Sequence, residues 1–229
     1  MKPNERFIVI LAGPSGIGKT TLSDCMIARE PRYELIRSIT TRPPRGDRHD
    51  DEYIYLTRGQ FEERLASFSV LEHTEYNGNL YGTPKSEVDR VLAEGRIPLL
   101  ILDMNGVRSI RGRKDDFATY ALYLYDDLDT IEQRLYDRSL AEDPTADKLL
   151  AFEKRRQANI RDYLALPDFA PLFDGFVRNH ETIEQCCEET MRRIEMLRTG
   201  AALPQNTWEI AEKLSASARA KKFSEKEKP

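Results

Sequence analysis

The 229-residue sequence lacks the features that define several simple classes of protein. Only three cysteines occur, Cys25, Cys186 and Cys187, and their spacing suits neither a disulfide framework nor a zinc site. No hydrophobic run approaches the roughly 20 residues of a membrane span, and the first residues are too polar for a secretory signal. These absences predict a cytoplasmic protein with reduced thiols and no membrane partner.

An excess of positive charge is also missing. Lys and Arg number 35 against 39 Asp and Glu, which gives a net charge of −4. Nucleic acid is therefore not an expected partner, because proteins that coat it carry a general excess of basic residues. Any phosphate-bearing molecule that this chain binds must be held by basic residues that are gathered locally.

Short apolar runs alternate with amphipathic stretches through most of the chain, which is typical of βαβ units and a parallel sheet. Residues 7–12 form a continuous apolar run, as expected of a strand buried on both faces, and a helix is predicted from near Gly18 to just before Pro31. Further strands are predicted at residues 33–41, 97–103, 118–125 and 176–178, and helices at 126–141, 145–164 and 181–197. The predicted fold class is α/β.

Residues 39–96 combine sequence signals for helices and for strands. Thr57, followed three residues later by Gln60, is a capping box for a helix. The Asn-Gly pair at 77–78 supplies the positive φ angles of a tight hairpin, and Thr83 before a proline is typical of a helix N-cap. This region therefore contains at least one helix and a hairpin.

The composition changes after residue 200. Residues 201–229 contain few large apolar side chains, and only Trp208, Ile210 and Leu214 could give this tail a short apolar stripe. We therefore expect a lightly docked helix within a partly disordered tail.

The strongest motif lies between the predicted strand at 7–12 and the helix that follows it. It matches the phosphate-binding loop G-x-x-x-x-G-K-[ST] and reads Gly13-Pro14-Ser15-Gly16-Ile17-Gly18-Lys19-Thr20. In such a loop the backbone N–H groups surround phosphate oxygens, with the helix N-terminus behind them. Lys19 is expected to reach the β- and γ-phosphates, and the Thr20 hydroxyl is expected to bind Mg²⁺. The fold class is thus that of a P-loop protein, a parallel sheet flanked by helices.

Other segments suggest a second phosphate-bearing substrate. Arg42 and Arg45 lie three residues apart on a loop stiffened by prolines, which suits the capture of another phosphate group. The predicted hairpin adds Glu72 and Thr83. The apolar run that begins at residue 97 ends in Asp103, which is typical of a strand that directs a carboxylate toward a bound metal ion.

Together these segments resemble the guanylate kinase family, whose motifs occur here in the same order at residues 13–21, 38–46 and 71–83. The segment at 102–107 is similar to a fourth motif, and the resemblance continues more weakly to about residue 197. It implies a P-loop kinase core at residues 1–38 and 97–200, a small mixed α/β GMP-binding insertion at residues 39–96, and a helical lid within the core at about residues 126–164. It also implies ATP as the phosphoryl donor, GMP as the acceptor and Mg²⁺ as the cofactor.

The resemblance implies roles for residues at the matching positions. The implied ATP contacts are Gly13, Pro14, Ser15, Gly16, Ile17, Gly18, Lys19, Thr20, Thr21 and Asn179. The implied GMP contacts are Ser38, Arg42, Arg45, Tyr53, Glu72, Tyr81, Thr83 and Asp103. The implied catalytic residues are Lys19, Arg42, Arg134, Arg138, Arg155 and Asp103, and the implied metal ligands are Thr20 and Asp103.

Two departures from the family pattern leave alternatives open. Where the family strand carries two carboxylates, this chain has Ile101 and Asp103, and the lid connection between Arg138 and Arg155 is longer than usual. Either Arg155 or Arg156 could therefore serve as the lid arginine. The alternative functions are a kinase for another phosphorylated acceptor, such as a ribose bisphosphate, and a guanylate-kinase-like protein-binding module with weak catalysis. The sequence does not indicate an oligomeric state.

Overall fold

The structure is a computed structural model of the protein. The described residues are 6–44, 50, 53–76, 78–114, 117–140, 144–179, 182–201, 203 and 206–226. The strands are β1 (Phe7–Ala12), β2 (Tyr33–Leu35), β3 (Ser38–Thr40), β4 (Tyr53–Tyr55), β5 (Val70–Tyr76), β6 (Asn79–Pro84), β7 (Ile97–Ile101), β8 (Ala118–Tyr125) and β9 (Gly175–Arg178). The helices are α1 (Lys19–Arg29), α2 (Arg58–Ala66), α3 (Lys85–Ala93), α4 (Met104–Arg111), α5 (Leu128–Ser139), α6 (Ala146–Phe169), α7 (Ile183–Arg198) and α8 (Thr207–Lys226).

The predicted α/β class is confirmed. Within the described residues, five strands form one sheet in the order β2-β7-β1-β8-β9, and four form a smaller sheet in the order β4-β3-β6-β5. In the larger sheet, β2 pairs with β7 and β8 pairs with β9, both in parallel. All six residues of β1 are buried, as the continuous apolar run predicted.

The chain divides into two compact units. The first comprises Met1–Ile10 and Met26–Tyr120, and the second comprises Leu11–Cys25 and Ala121–Pro229. The predicted insertion at 39–96 lies in the first unit, which also holds β2, β7 and α4. The insertion boundaries remain a prediction.

In the first unit, the small sheet packs its own hydrophobic core against α2. Ile39, Phe61 and Leu80 are buried together, and Ile54 packs against them. The capping box predicted at Thr57 is present, because its hydroxyl accepts from the N–H of Gln60 while the Gln60 side chain accepts from the N–H of Thr57.

The predicted single strand at residues 33–41 is wrong. The structure divides it into β2, which pairs with β7, and β3, which pairs with β4 and β6 of the small sheet. The break comes at Ile36, whose N–H still donates to the carbonyl of Leu99 in the larger sheet before the chain leaves it. One continuous β-rich stretch of sequence therefore contributes one strand to each of the two sheets.

The second unit contains β9, the helices from α5 to α8, the part of β8 from Ala121 onward and the part of α1 up to Cys25. Tyr123, Phe173 and Phe176 form an aromatic cluster there, with ring centroids 5.1 to 5.9 Å apart. Among the described residues, no helix combines the length and apolar character needed to cross a membrane.

The tail forms a longer and better packed helix than its composition suggested. In α8, Ala211, Ser215 and Ala218 are fully buried, and Ser215 donates to the carbonyl of Leu164 in α6. Lys221 binds two carboxylates of α5. Small residues allow close approach between helices, and a count of large apolar side chains does not detect this type of packing.

The end of α2 carries an unusual residue. The N–H of Ser69 donates to the carbonyl of Arg64, and the N–H of Phe68 donates to that of Leu65, which together form a Schellman motif. Its left-handed residue is Phe68, with φ of +54°, and the side chain is 88% exposed. The motif therefore strains an aromatic residue without burying it.

Replacing Phe68 with glycine should stabilise the protein. Glycine adopts positive φ without a Cβ clash, so Phe68→Gly should raise the free energy of unfolding by about 1 kcal/mol in urea denaturation. Gly95 (φ of +72°) ends α3 in the same motif, with nothing within 4 Å of an added Cβ. Gly95→Ala is the opposite-sign control and should destabilise by a similar amount. A loss of stability in Phe68→Gly would contradict this account.

Candidate functional site

The phosphate-loop sequence lies between β1 and α1, as predicted. Gly13 has φ of +147°, and a Cβ there would lie 2.4 Å from the carbonyl oxygen of Leu124 in β8. Gly18 has φ of +97°, and a Cβ there would lie 2.9 Å from Nδ2 of Asn179. Both positions therefore require glycine, because the backbone passes too close to its neighbours for a side chain.

The amine of Lys19 lies across this loop. Its Nζ donates to the carbonyl oxygens of Gly13, at 2.7 Å, and Pro14, at 2.9 Å. Thr20 and Thr21 follow in the first turn of α1, whose N–H groups have no intrahelical acceptors. A cation and a helix N-terminus therefore occur together, and this combination favours the binding of anionic phosphate.

Asn179 supports the loop from the end of β9. The side chain is buried and its Nδ2 donates to the carbonyl of Ile17 at 2.6 Å, while its own N–H donates to the carbonyl of Tyr125. The structure thus gives Asn179 a contact with the loop itself. Its predicted contact near the donor base remains a prediction.

Arg134 of α5 contacts a buried carboxylate. Its NH2 lies 3.2 Å from Oδ2 of Asp126, which is 1% exposed and which also pairs with Arg178. Arg138, one turn later, is exposed. The two predicted lid arginines therefore differ in environment, since Arg134 is held at the end of β8 and Arg138 faces solvent.

Arg155 and Arg156 are adjacent in α6, and both are partly buried. The Arg156 guanidinium binds Glu153 at 2.8 Å and lies 3.6 Å from Glu132 of α5. Two carboxylates thus engage Arg156 in this state. Arg155, chosen from the sequence as the lid arginine, keeps that role as a prediction.

Glu72 is a buried acid of the first unit. It lies in β5, is 6% exposed, and its Oε1 accepts a hydrogen bond of 2.7 Å from the hydroxyl of Thr83 in β6. Burial raises the pKa of Glu72 to about 7, the Thr83 hydrogen bond opposes this rise, and the negative charge of Asp103 adds to it. A carboxylate in this setting is poised to accept hydrogen bonds from a ligand.

The Thr83 contact corrects one sequence expectation. Thr83 was predicted to cap α3, but the N-cap is Pro84 and no side-chain cap bond forms there. The hydroxyl of Thr83 donates to Glu72 instead. A hydrogen bond to a carboxylate is stronger than one to a neutral backbone group at the helix end.

Asp103 and Gly106 lie beside this carboxylate in the first turn of α4. Asp103 Oδ1 accepts from the N–H of Gly106 at 2.7 Å and thereby caps the helix. An added Cβ at Gly106 would lie 3.0 Å from Oε2 of Glu72, so the glycine leaves room for that carboxylate. Within the described residues, no group of three or more metal-binding side chains occurs. The predicted metal ligands Thr20 and Asp103 remain predictions.

Arg42 stands at the centre of a second polar cluster in the first unit. Its guanidinium lies over the rings of Tyr53 and Tyr55, at 5.1 and 5.6 Å from their centroids. The same group donates to the Tyr55 hydroxyl at 3.2 Å and contacts Asp50 Oδ1 at 3.5 Å, while the Tyr81 ring packs on Tyr53. The predicted phosphate contacts Arg42, Tyr53 and Tyr81 are thus brought together.

Tyr55 and Asp50 are members of this cluster that the sequence reasoning missed. The Tyr55 hydroxyl donates to Asp50, and burial together with this bond raises the pKa of Tyr55 to about 12. The alternation Tyr53-Ile54-Tyr55 indicates that Tyr55 lies on the same face as Tyr53, because residues two apart on a strand share a face.

Two further predicted GMP contacts lie near or beyond this cluster in sequence. Ser38 begins β3 opposite Tyr53, and Arg45 lies outside the described residues.

Comparison with known proteins identifies the family of the chain. The family model for guanylate kinase matches residues 5–196, which is most of the chain. The chain belongs to the guanylate kinase family. It is 33% identical over 162 residues to a guanylate kinase from Lactobacillus delbrueckii subsp. bulgaricus, covering 70% of this chain and 79% of that protein. A guanylate kinase from Trichodesmium erythraeum is 35% identical over 163 residues, covering 71% and 84%.

A solved structure supports the fold. The crystal structure of guanylate kinase from Anaplasma phagocytophilum has a TM-score of 0.59 and 18% sequence identity, and the match covers 84% of this chain and 86% of that one. The matched family region ends at residue 196, so α8 is an addition beyond it.

Proposed function

We propose that this guanylate kinase family member transfers the γ-phosphoryl group of ATP to GMP and forms ADP and GDP. The observation that carries this proposal is the buried pair of Glu72 and Thr83, a carboxylate and a hydroxyl 2.7 Å apart. It accompanies a phosphate loop whose Lys19 lies across its own carbonyls.

The acceptor base is guanine in this proposal. An ionised Glu72 accepts hydrogen bonds from guanine N1–H and from the exocyclic amine. The Thr83 hydroxyl, which donates to Glu72 here, would turn to donate to guanine O6 instead. Adenine lacks that pair of donors, so AMP would leave a buried carboxylate without partners. Specificity then follows from the energetic cost of this unsatisfied group.

The acceptor phosphate is bound by the Arg42 cluster. Arginine forms paired hydrogen bonds with phosphate oxygens, and the hydroxyls of Tyr53 and Tyr81 can add neutral donors. The carboxylate of Asp50 lies 3.5 Å from the guanidinium of Arg42 and balances its positive charge. GMP would therefore displace Asp50 as the partner of this guanidinium.

Lys19 and the lid arginines stabilise the charge that moves during transfer. The transferred group spreads its charge over its outer oxygens, and cationic groups around it lower the barrier. When bound, Mg²⁺ would neutralise further phosphate charge, and the hydroxyl of Thr20 and the carboxylate of Asp103 are oxygen donors of the type that this ion prefers. ATP and GMP are the proposed partners, and a cytoplasmic location stays a prediction.

A coupled assay of ADP release tests the proposed function. GMP, AMP, CMP, UMP and ribose phosphates are supplied separately with ATP and Mg²⁺, and we expect GMP to be the preferred acceptor. Ribose phosphates as better acceptors would favour the first alternative. The absence of turnover with every acceptor would favour the protein-binding module.

The raised pKa of Glu72 predicts that GMP binding improves with pH. Only the ionised carboxylate accepts both guanine donors, so with a pKa of about 7 the apparent affinity should rise about tenfold from about pH 6 to about pH 8. Isothermal titration at several pH values measures this. Glutamine cannot titrate, so Glu72→Gln should lose this rise in affinity with pH. Only the pH dependence that comes from titration of the GMP phosphate should remain. Equal pH profiles in both proteins would refute the assignment.

The same shift has an opposite effect on folding. The folded protein retains a proton on Glu72 that the unfolded chain releases above about pH 4.5. The contribution of this protonated group to stability is therefore complete below that value, and it is lost as the pH rises toward 7.

A further inference from the structure

One buried amide connects α6 to the phosphate loop. Asn159 is 1% exposed, and its Oδ1 accepts from the N–H of Ser15 at 2.8 Å. Its Nδ2 donates to the carbonyl of the same Ser15 at 2.9 Å. A single side chain therefore satisfies both backbone groups of one loop residue that is 144 positions away in sequence.

The next turn of α6 repeats this arrangement at another strand end. The hydroxyl of Tyr163, which is fully buried, donates to the carbonyl of Asp126 at 2.8 Å and accepts from its N–H at 3.2 Å. Asp126 directly follows β8, and Ser15 follows β1 by three residues. Two successive turns of one helix thus hold the chain just after two strands.

The Asn159 contacts fix the orientation of two peptide groups. The N–H of Ser15 belongs to the peptide that follows Pro14, and its carbonyl belongs to the peptide that precedes Gly16. In a planar trans peptide the C=O and the N–H point in opposite directions. Holding the carbonyl of Ser15 toward Asn159 therefore directs the N–H of Gly16 away from α6, toward the opposite side of the loop.

Lys19 contacts the preceding carbonyls of the same loop. Its Nζ donates to Gly13 and Pro14, so three consecutive carbonyls of the loop, those of Gly13, Pro14 and Ser15, have side-chain partners. When an anion attracts the Lys19 amine, the bonds to the first two carbonyls can exchange. The bond to the third is made by a neutral, buried amide with no such competition.

We propose that Asn159 is a positioning residue for the donor phosphates. It sets the direction of the Gly16 N–H before the nucleotide arrives, and this lowers the cost of ordering the loop when it binds. The inference rests on the proposed function for its substrate, ATP, and it does not depend on the identity of the acceptor.

Two substitutions at Asn159 separate its contacts. Asn159→Ala removes both bonds, and Asn159→Asp can still accept from the N–H of Ser15 but cannot donate to its carbonyl. Tyr163→Phe is the matched control, because it removes an equivalent pair of main-chain contacts one turn away, at Asp126 instead of the loop.

The measurements are the dissociation constant for Mg·ATP, the KM values for ATP and GMP, the melting temperature, and hydrogen exchange at the Ser15 amide. We expect both Asn159 variants to bind ATP about tenfold more weakly, with the KM for GMP changed less than twofold. Exchange at the Ser15 amide should be faster in Asn159→Ala and close to wild type in Asn159→Asp. Tyr163→Phe should lower the melting temperature but leave ATP binding within twofold.

Unchanged ATP binding in both Asn159 variants would overturn the proposal. So would an equal loss of ATP and GMP affinity that follows the melting temperature in all three variants, because that pattern marks a purely structural role. If the wild type fails to phosphorylate GMP, the proposed function fails, whereas direct ATP binding still tests Asn159.

Discussion

Lys19→Met should reduce kcat for phosphoryl transfer by about a thousandfold, which is the largest effect that we expect from one substitution. The amine is the cation of the phosphate loop, and its contacts with Gly13 and Pro14 place it where phosphate oxygens would compete for it. Methionine keeps much of the length and loses the charge. Steady-state kinetics with saturating ATP and GMP measure kcat directly.

Lys213→Met controls for the general effect of removing a lysine. Lys213 is exposed on α8 and pairs with Glu209 one turn away, so its loss should leave kcat within twofold. A Lys19→Met enzyme that keeps a tenth or more of the wild-type kcat would remove Lys19 from the transfer step. The melting temperature of both variants shows whether the fold is retained.

Glu72→Gln should lower kcat/KM for GMP by about a hundredfold, and the KM for ATP should change little. The amide retains one acceptor but presents its NH₂ group to a guanine donor, so one favourable bond becomes a repulsive contact. The same amide can pair with adenine, which offers an acceptor beside an amine. The ratio of kcat/KM for GMP to kcat/KM for AMP should therefore fall by more than kcat/KM for GMP itself.

Glu75→Gln is the matched control on the same strand. Glu75 lies three residues later in β5 and is exposed, so its neutralisation should leave both kcat/KM and selectivity unchanged. Comparable GMP selectivity in Glu72→Gln and the wild type would remove Glu72 from the guanine site and would weaken the proposed acceptor.

Features governed by short-range rules could be predicted from the sequence. The bounds of β1 follow from a continuous apolar run that ends at Gly13, and the capping box at Thr57 follows from a four-residue pattern. The sequence places Glu72 and Thr83 on one predicted hairpin, but only the family resemblance implies that they contact the same base, since their own contact crosses two strands.

Other features depend on distant partners, and the sequence carries little sign of them. Helix α4 was not predicted, because it has only eight residues and its N-cap, Asp103, follows an apolar strand without a break. The division of residues 33–41 between two sheets depends on which neighbours each half meets. Asn159 looks like an ordinary polar residue in a charged helix until Ser15 is seen beside it.

The burial of Glu72 also implies a conflict between specificity for a base and the stability of the fold. At neutral pH the protein must hold this carboxyl group where water is scarce, and burial disfavours its charged form, which raises its pKa. A neutral side chain of similar size would be easier to enclose, so Glu72→Gln should melt at a higher temperature than the wild type. The residue that we propose to select guanine would thus oppose folding when it is charged, and GMP binding would raise the stability again.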